Sequence, residues 1–171
     1  TYRALSAVDS AIMVIDGAKG VESQTKKLFE VCRLRDMPII AFCNKMDRES
    51  RDLIEIIDEI QEKLAIDVTP LSWPIGSGSN FRGLYHFLQD RYEIFSDLRL
   101  HHTAPRIKIS GLNNDQVLEY VNPDLIQKSR EEIELIRGLS RKFEEKYFLE
   151  GSLSPIFFGS ALNSSGVDHL M

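Results

Sequence analysis

Short apolar runs, each halted abruptly by a glycine or a polar cluster, constrain this chain more than any other feature. Ser10-Ala11-Ile12-Met13-Val14-Ile15-Asp16 is closed by Gly17, Pro38 opens Ile39-Ile40-Ala41-Phe42-Cys43, and Ser154-Pro155-Ile156-Phe157-Phe158 is closed by Gly159. Unbroken apolarity over a strand's length predicts strands buried on both faces, as in parallel sheets. Between the first two runs, Val21, Thr25, Leu28 and Cys32 recur at helical spacing, with Lys26, Lys27 and Glu30 outward. Behind the second, Leu53, Ile56, Ile57, Ile60 and Leu64 predict a strongly amphipathic helix, and Val68 to Trp73 a third strand. Strands alternating with helices require right-handed crossovers, hence an α/β fold on a parallel sheet.

The pattern changes after Pro74. Ile75-Gly76-Ser77-Gly78-Ser79-Asn80 is turn chemistry, and Gly83–Leu88, Tyr92–Phe95 and Arg106–Ile109 predict short strands of a smaller sheet. Asn122-Pro123 is a helix start, an amide cap followed by proline in the first turn. A charged helix runs on to about Phe148 with a break near Gly138. The expected organisation is therefore a core over 1–73, an inserted α+β subdomain over 74–150 and a return to the core over 151–171. Thr1–Leu5 and Val167–Met171 both read as helix cut through, so the chain is expected to be a fragment.

In parallel sheets, ligands bind beyond the carboxyl ends of the strands. There the second run stops on Asn44-Lys45-Met46-Asp47. Guanine presents N7 and O6 as acceptors and an exocyclic N2 amine as donor. An ionised Asp47 can accept from the N1 and N2 protons, Asn44 can donate to N7, and the Lys45 stem can lie along a ring face. Adenine, lacking both protons, would leave Asp47 unmatched at a cost of about 1–3 kcal/mol or more. The tetrapeptide alone reads equally as a solvated turn. After the last strand, Gly159-Ser160-Ala161 can bring backbone close to a ligand. If that strand neighbours the second one, Ser160 and Ala161 would offer backbone N–H groups to O6; otherwise they are a plain surface loop.

Asp16-Gly17-Ala18-Lys19-Gly20-Val21-Glu22-Ser23-Gln24-Thr25, then Asn44-Lys45-Met46-Asp47-Arg48, then Gly159-Ser160-Ala161 together resemble a translational GTPase of the elongation factor G class. Within it, Arg33–Ile39, Asp47–Asp52, Trp73–Gly76 and Gly111–Asn114 are most similar to the bacterial peptide chain release factor 3 group. The resemblance spans essentially the whole chain; Leu53 departs from it, standing where proline is expected. It implies a three-layer parallel sheet of the P-loop GTPase type, N-terminally truncated and carrying an inserted α+β subdomain. It also implies GTP/GDP as ligand, with Mg²⁺ in the intact protein, and the ribosome and codon-reading release factors as partners. The implied activity is ribosome-dependent GTP hydrolysis that promotes release-factor recycling in termination. The guanine-pocket residues would be Asn44, Lys45, Asp47, Ser160 and Ala161.

The phosphate half of such a site is not in these 171 residues. It needs Gly-x-x-x-x-Gly-Lys-Ser/Thr. The nearest string, Gly78-Ser79-Asn80-Phe81-Arg82-Gly83-Leu84-Tyr85, has the glycines without the lysine and hydroxyl, and is expected to be a turn. The Mg²⁺ ligands and the catalytic groups are likewise expected to precede Thr1, so this piece should bind GTP weakly and hydrolyse none. Two other readings stay open: an elongation factor G or ribosome-protection relative, and a nucleotide-free module binding protein or RNA through the insertion.

A net charge of −5 argues against a broad nucleic-acid face, and no apolar run is long enough to span a bilayer. Neither DNA nor a membrane is an expected partner. Cys32 and Cys43 are too few and too separated for a disulfide framework or zinc site, and read as core residues in a reducing cytoplasm. His101 and His102 are expected in a solvated loop and His169 on a helix surface. Arg33, Arg35, Arg48 and Arg51 would suit phosphate-rich ribosomal RNA, with a solvated face as the default reading.

Overall fold

The computed structural model describes residues 8–96 and 105–168. The helix expected over Thr1–Leu5, the pair His101 and His102, and His169 lie outside them. Ala11–Asp16 forms β1, Ser23–Arg33 α1, Ile39–Asn44 β2 and Leu53–Leu64 α2. The predicted α2 face is the buried one: Ile56, Ile57, Ile60 and Leu64 are all in the core. Asp52 caps this helix by accepting from the Ile54 and Glu55 amides at 2.8 and 3.2 Å. That side-chain oxygen satisfies donors no helical carbonyl can reach. At the other end Ala65 takes the left-handed conformation, φ 50°, and releases the chain.

The strand expected over Val68–Trp73 is in fact two. Asp67–Pro70 is β3 of the parallel sheet, and Ser72–Ile75 is β4 of a second, antiparallel sheet. Leu71 lies at the junction, its N–H donating to the Ile156 carbonyl at 2.9 Å. The second sheet continues through Gly83–His86 (β5), Arg91–Phe95 (β6) and Arg106–Ser110 (β7), in the order β4-β5-β6-β7. Helix α3, Pro123–Leu139, starts as predicted: Asn122 Oδ1 accepts from the Asp124 amide at 2.8 Å. It lies against β4, where Glu132 accepts a bond from the Trp73 indole at 3.0 Å. The helix stops at Ser140, whose backbone is extended, and a short α4 follows over Glu145–Leu149.

Leu153–Phe158 is β8, and its place decides the architecture. The parallel sheet has the order β1-β2-β8-β3, so the last strand slots between two that precede it by many residues. Ala41 pairs with Ile156 on one side and Pro70 with Ile156 on the other. Pro155 is tolerated in this central strand next to Ser154, whose hydroxyl donates to the Ile39 carbonyl at 2.8 Å. Ser72 Oγ accepts the Phe158 N–H at 2.9 Å, stitching the second sheet to β8 where the two meet.

One expectation is corrected. The β1 run was expected to be buried on both faces, yet Ile12 and Val14 are 52% and 55% exposed. Among the described residues β1 is the outer strand of the sheet, paired with β2. Among the described residues only its Ile15 side reaches the core. An apolar run states that a strand can be buried, not how many faces its neighbours cover.

Ile156 is fully buried in the central strand, and Ile156→Ala should cost about 2–5 kcal/mol in urea unfolding. Leu162→Ala, at a side chain 70% exposed, should stay within about 0.5 kcal/mol. Equal losses at the two positions would contradict this topology.

Candidate functional site

The carboxyl ends of β1, β2 and β8 converge, and all five residues singled out from the sequence fall there. The register places Asp16 opposite Asn44, and Cys43 opposite Phe158. The loop beyond β2 is bound to its neighbour at each step: Gly159 N–H donates to Cys43 O and Met46 N–H to Gly159 O, both at 3.0 Å. The Gly76–Asn80 turn braces it from the other side, Gly78 N–H donating to Met46 O at 2.9 Å. Gly78 has φ 59°, a conformation that glycine adopts without steric cost. Of the string Gly78–Tyr85 expected to be a turn, Gly78–Asn80 is one 3₁₀ turn, whereas Gly83 to Tyr85 belong to β5.

Asn44 is oriented by the backbone. Its Oδ1 accepts from Lys45 N–H at 2.8 Å and from Ala161 N–H at 2.9 Å. With the carbonyl so engaged, the side-chain NH₂ is the part that can donate outward. Lys45 takes the left-handed conformation, φ 73°. Its ammonium crosses to β1 and pairs with Asp16 Oδ2 at 2.5 Å, so the lysine stem lies across the strand ends. Met46 points the opposite way and is fully buried, with Cε where a Cβ on Gly17 would stand, 2.4 Å away. Asp47 completes the loop: its Oδ1 is buried and has no hydrogen-bond partner among the described residues.

The two residues after β8 behave differently from each other. Ser160 is fully buried. Its N–H, expected to face a ligand, donates instead to Ser165 O at 2.9 Å, closing the loop on itself. Of these two residues, it is Ala161 whose N–H reaches Asn44. Local sequence cannot distinguish these two amides, because which one turns inward depends on where the loop closes.

Asp16 was not among the residues predicted to form the site. The available signal was its position as last residue of a buried strand beside the Asn-Lys-x-Asp strand. The Lys45 hydrogen bond holds its carboxyl below the usual carboxylate range, assisted by the Ala18 amide and opposed by partial burial. Arg33 donates to the Leu64 carbonyl and Arg51 pairs with Glu59 at 2.6 Å, so both serve the fold. Clefts of about 390 Å³ beside Trp73 and Lys128 and about 410 Å³ beside Phe87 and Phe143 are lined by none of the five site residues.

A family model described as the elongation factor Tu GTP binding domain matches residues 1–171. The chain belongs to that family. Its members are translational GTPases that bind GTP and GDP, usually with Mg²⁺, and typically work with the ribosome. Together with the parallel sheet this makes the core a P-loop GTPase fold. The residues at the strand ends fit the base of such a nucleotide: an orphan carboxylate oxygen, an outward amide and a lysine stem share one edge. Among the described residues no cluster of three or more His, Cys, Asp or Glu could hold a metal ion.

Because the folded pKa of Asp16 is lowered from 3.8, the stability from its pair with Lys45 is fully present above that value and lost as pH falls below it. With the lysine half-exposed, Asp16→Asn should cost about 0.5–1 kcal/mol at neutral pH. The gap from the unsubstituted chain should close in urea titrations below pH 3.8. A gap independent of pH would rule out the ion pair as its cause.

Proposed function

We propose that Asn44, Lys45, Asp47 and Ala161 read guanine, and that Ser160 shapes the loop that brings Ala161 into place. The observation that carries this reading is the buried, unpartnered Asp47 Oδ1. A carboxylate oxygen withdrawn from water without a donor is costly, and the N1 and N2 protons of guanine would supply two. The outward NH₂ of Asn44 would meet N7. The Lys45 stem, tied to Asp16 at its far end, would form the floor under the ring. Ala161 N–H, now on Asn44 Oδ1, would turn or share toward O6. Every donor in this set finds an acceptor on guanine, whereas adenine would present an amine to Ala161 and a bare N1 to Asp47.

At the level of the whole protein, we infer a ribosome-dependent GTPase that promotes departure of codon-reading release factors. Support comes from Arg33–Ile39, Asp47–Asp52, Trp73–Gly76 and Gly111–Asn114, the stretches that resemble release factor 3 rather than elongation factor G. A cytoplasmic setting accords with Cys32 and Cys43, both free and buried. Burial pushes the Cys43 thiol up to about 12, which leaves it unreactive. No helix among the described residues is long and apolar enough to cross a membrane.

Asp47→Asn tests the base assignment in the full-length protein carrying this chain. The new amide can donate to the C2 carbonyl of xanthine but cannot accept from both guanine protons. GDP affinity should fall by about 30-fold or more, the cost of a charge-assisted bond, while xanthosine diphosphate binds better than to the unsubstituted protein. Unchanged GDP affinity in calorimetric titration would sink the assignment.

A further inference from the structure

The loop after β8 is gripped at its outer half by the antiparallel sheet, among the described residues through Arg106. Ser160 and Ser165 exchange both backbone hydrogen bonds at 2.9 Å, folding 160–165 into a tight closed loop. No side chain fits where it closes: a Cβ on Gly159 would lie 2.1 Å from Ser165 O, and one on Gly166 2.6 Å from Phe158 O. Within the loop Ser164 has φ 50°, which serine adopts only when held. Arg106 on β7 helps to hold it, its Nη2 donating to Ser164 O at 2.9 Å. Arg106 Nη1 also reaches both carboxylate oxygens of Asp168, at 3.2 and 3.1 Å.

Arg106 is itself anchored from behind. Register puts Phe95 opposite Arg106 and Glu93 opposite Lys108, so with period-two alternation Glu93, Phe95 and Arg106 share a face. Arg106 Nη1 bonds Glu93 Oε1, and the guanidinium lies 5.9 Å from the Phe95 ring centroid. Glu93 is 1% exposed. A carboxylate that deep requires a cation, and arginine is the one that cannot give up its proton. Its planar fork is then fixed, and the remaining N–H groups are aimed at the loop. Burial disfavours the charge on Arg106, but Glu93 and Asp168 outweigh it and raise its pKa.

We propose that Arg106 is a positioning residue for base recognition: anchored on Glu93, it holds the Ser160–Ser165 loop so that Ala161 N–H stands at the C6 side of the purine. This rests on the guanine reading above. The two edges of the base are then set by different parts of the molecule. Asp47 sits in the β2 loop, braced by Gly78 of the turn after β4. Ala161 sits in the β8 loop, braced by β7 through Arg106. Loosening Arg106 should therefore blunt discrimination at C6 and leave discrimination at C2 intact.

The test uses the full-length protein carrying this chain and three nucleotides: GDP, 6-thio-GDP, in which a weakly accepting sulfur replaces O6, and IDP, which lacks the C2 amine. Arg106→Ala should weaken GDP binding about tenfold, as expected for a donor displaced by about an ångström. The preference for GDP over 6-thio-GDP should shrink toward unity while that for GDP over IDP holds. Arg106→Lys, which keeps the charge at Glu93 but not the fork, should fall between. Asp168→Asn, at a side chain 51% exposed, should move the C6 preference in the same direction by less. A uniform loss for all three nucleotides, or C6 preferences unmoved in both Arg106→Lys and Asp168→Asn, would overturn the proposal. An unsubstituted protein that bound GDP and IDP equally would instead overturn the guanine reading itself, and the inference with it.

Discussion

Everything at the candidate site depends on β8 lying beside β2. Asn44 Oδ1 has two backbone donors only because Ala161, over a hundred residues further along, is delivered next to it by the last strand. Without that strand the Asn-Lys-Met-Asp loop would lose the Gly159 bonds on both of its flanks. Asn44 Oδ1 would then keep only the Lys45 N–H, and its amide would be less firmly oriented. A side chain that must tell one purine edge from another needs its own orientation settled beforehand. Here backbone hydrogen bonds settle it, and those are less adaptable than side-chain contacts.

The same placement has a cost in assembly. β8 takes the place between β2 and β3, and the antiparallel sheet with α3 and α4 lies between β3 and β8 in the sequence. Long-range parallel pairing is slow because loop closure precedes its reward. Asp52 and Asn122 cap their helices through local bonds, and the Leu71 and Ser72 bonds to β8 tie the two sheets together. The second sheet is thus part of the site's support and not an appendage to it: Gly78 braces one loop and Arg106 the other.

Much of this was legible in the chain itself. Unbroken apolar runs named the parallel strands, the 3.6-residue period named α1 and α2, and Asn122-Pro123 marked the start of α3. The chemistry of Asn44, Lys45 and Asp47 pointed to guanine before any contact was known, and the three do lie at one sheet edge. Other features escaped for identifiable reasons. Val68–Trp73 looked like one strand because hydrophobicity carries no mark for a change of sheet at Leu71. β1 looked doubly buried because apolarity does not count neighbours. Asp16 was overlooked because its partner Lys45 is close only through the β1–β2 register.

The sequence by itself determined the elements, the apolar faces, the caps and the polar groups that could recognise a base, since each follows from the intrinsic chemistry and spacing of nearby residues. Only the tertiary structure decided that β8 enters between β2 and β3, that Ala161 rather than Ser160 turns its amide toward Asn44, and that Arg106 grips the loop between them. Those outcomes rest on hydrogen bonds and ion pairs between residues far apart in the chain. Their free energies exist only once loop-closure entropy has been overcome and the groups are buried together, so no short stretch of sequence carries them.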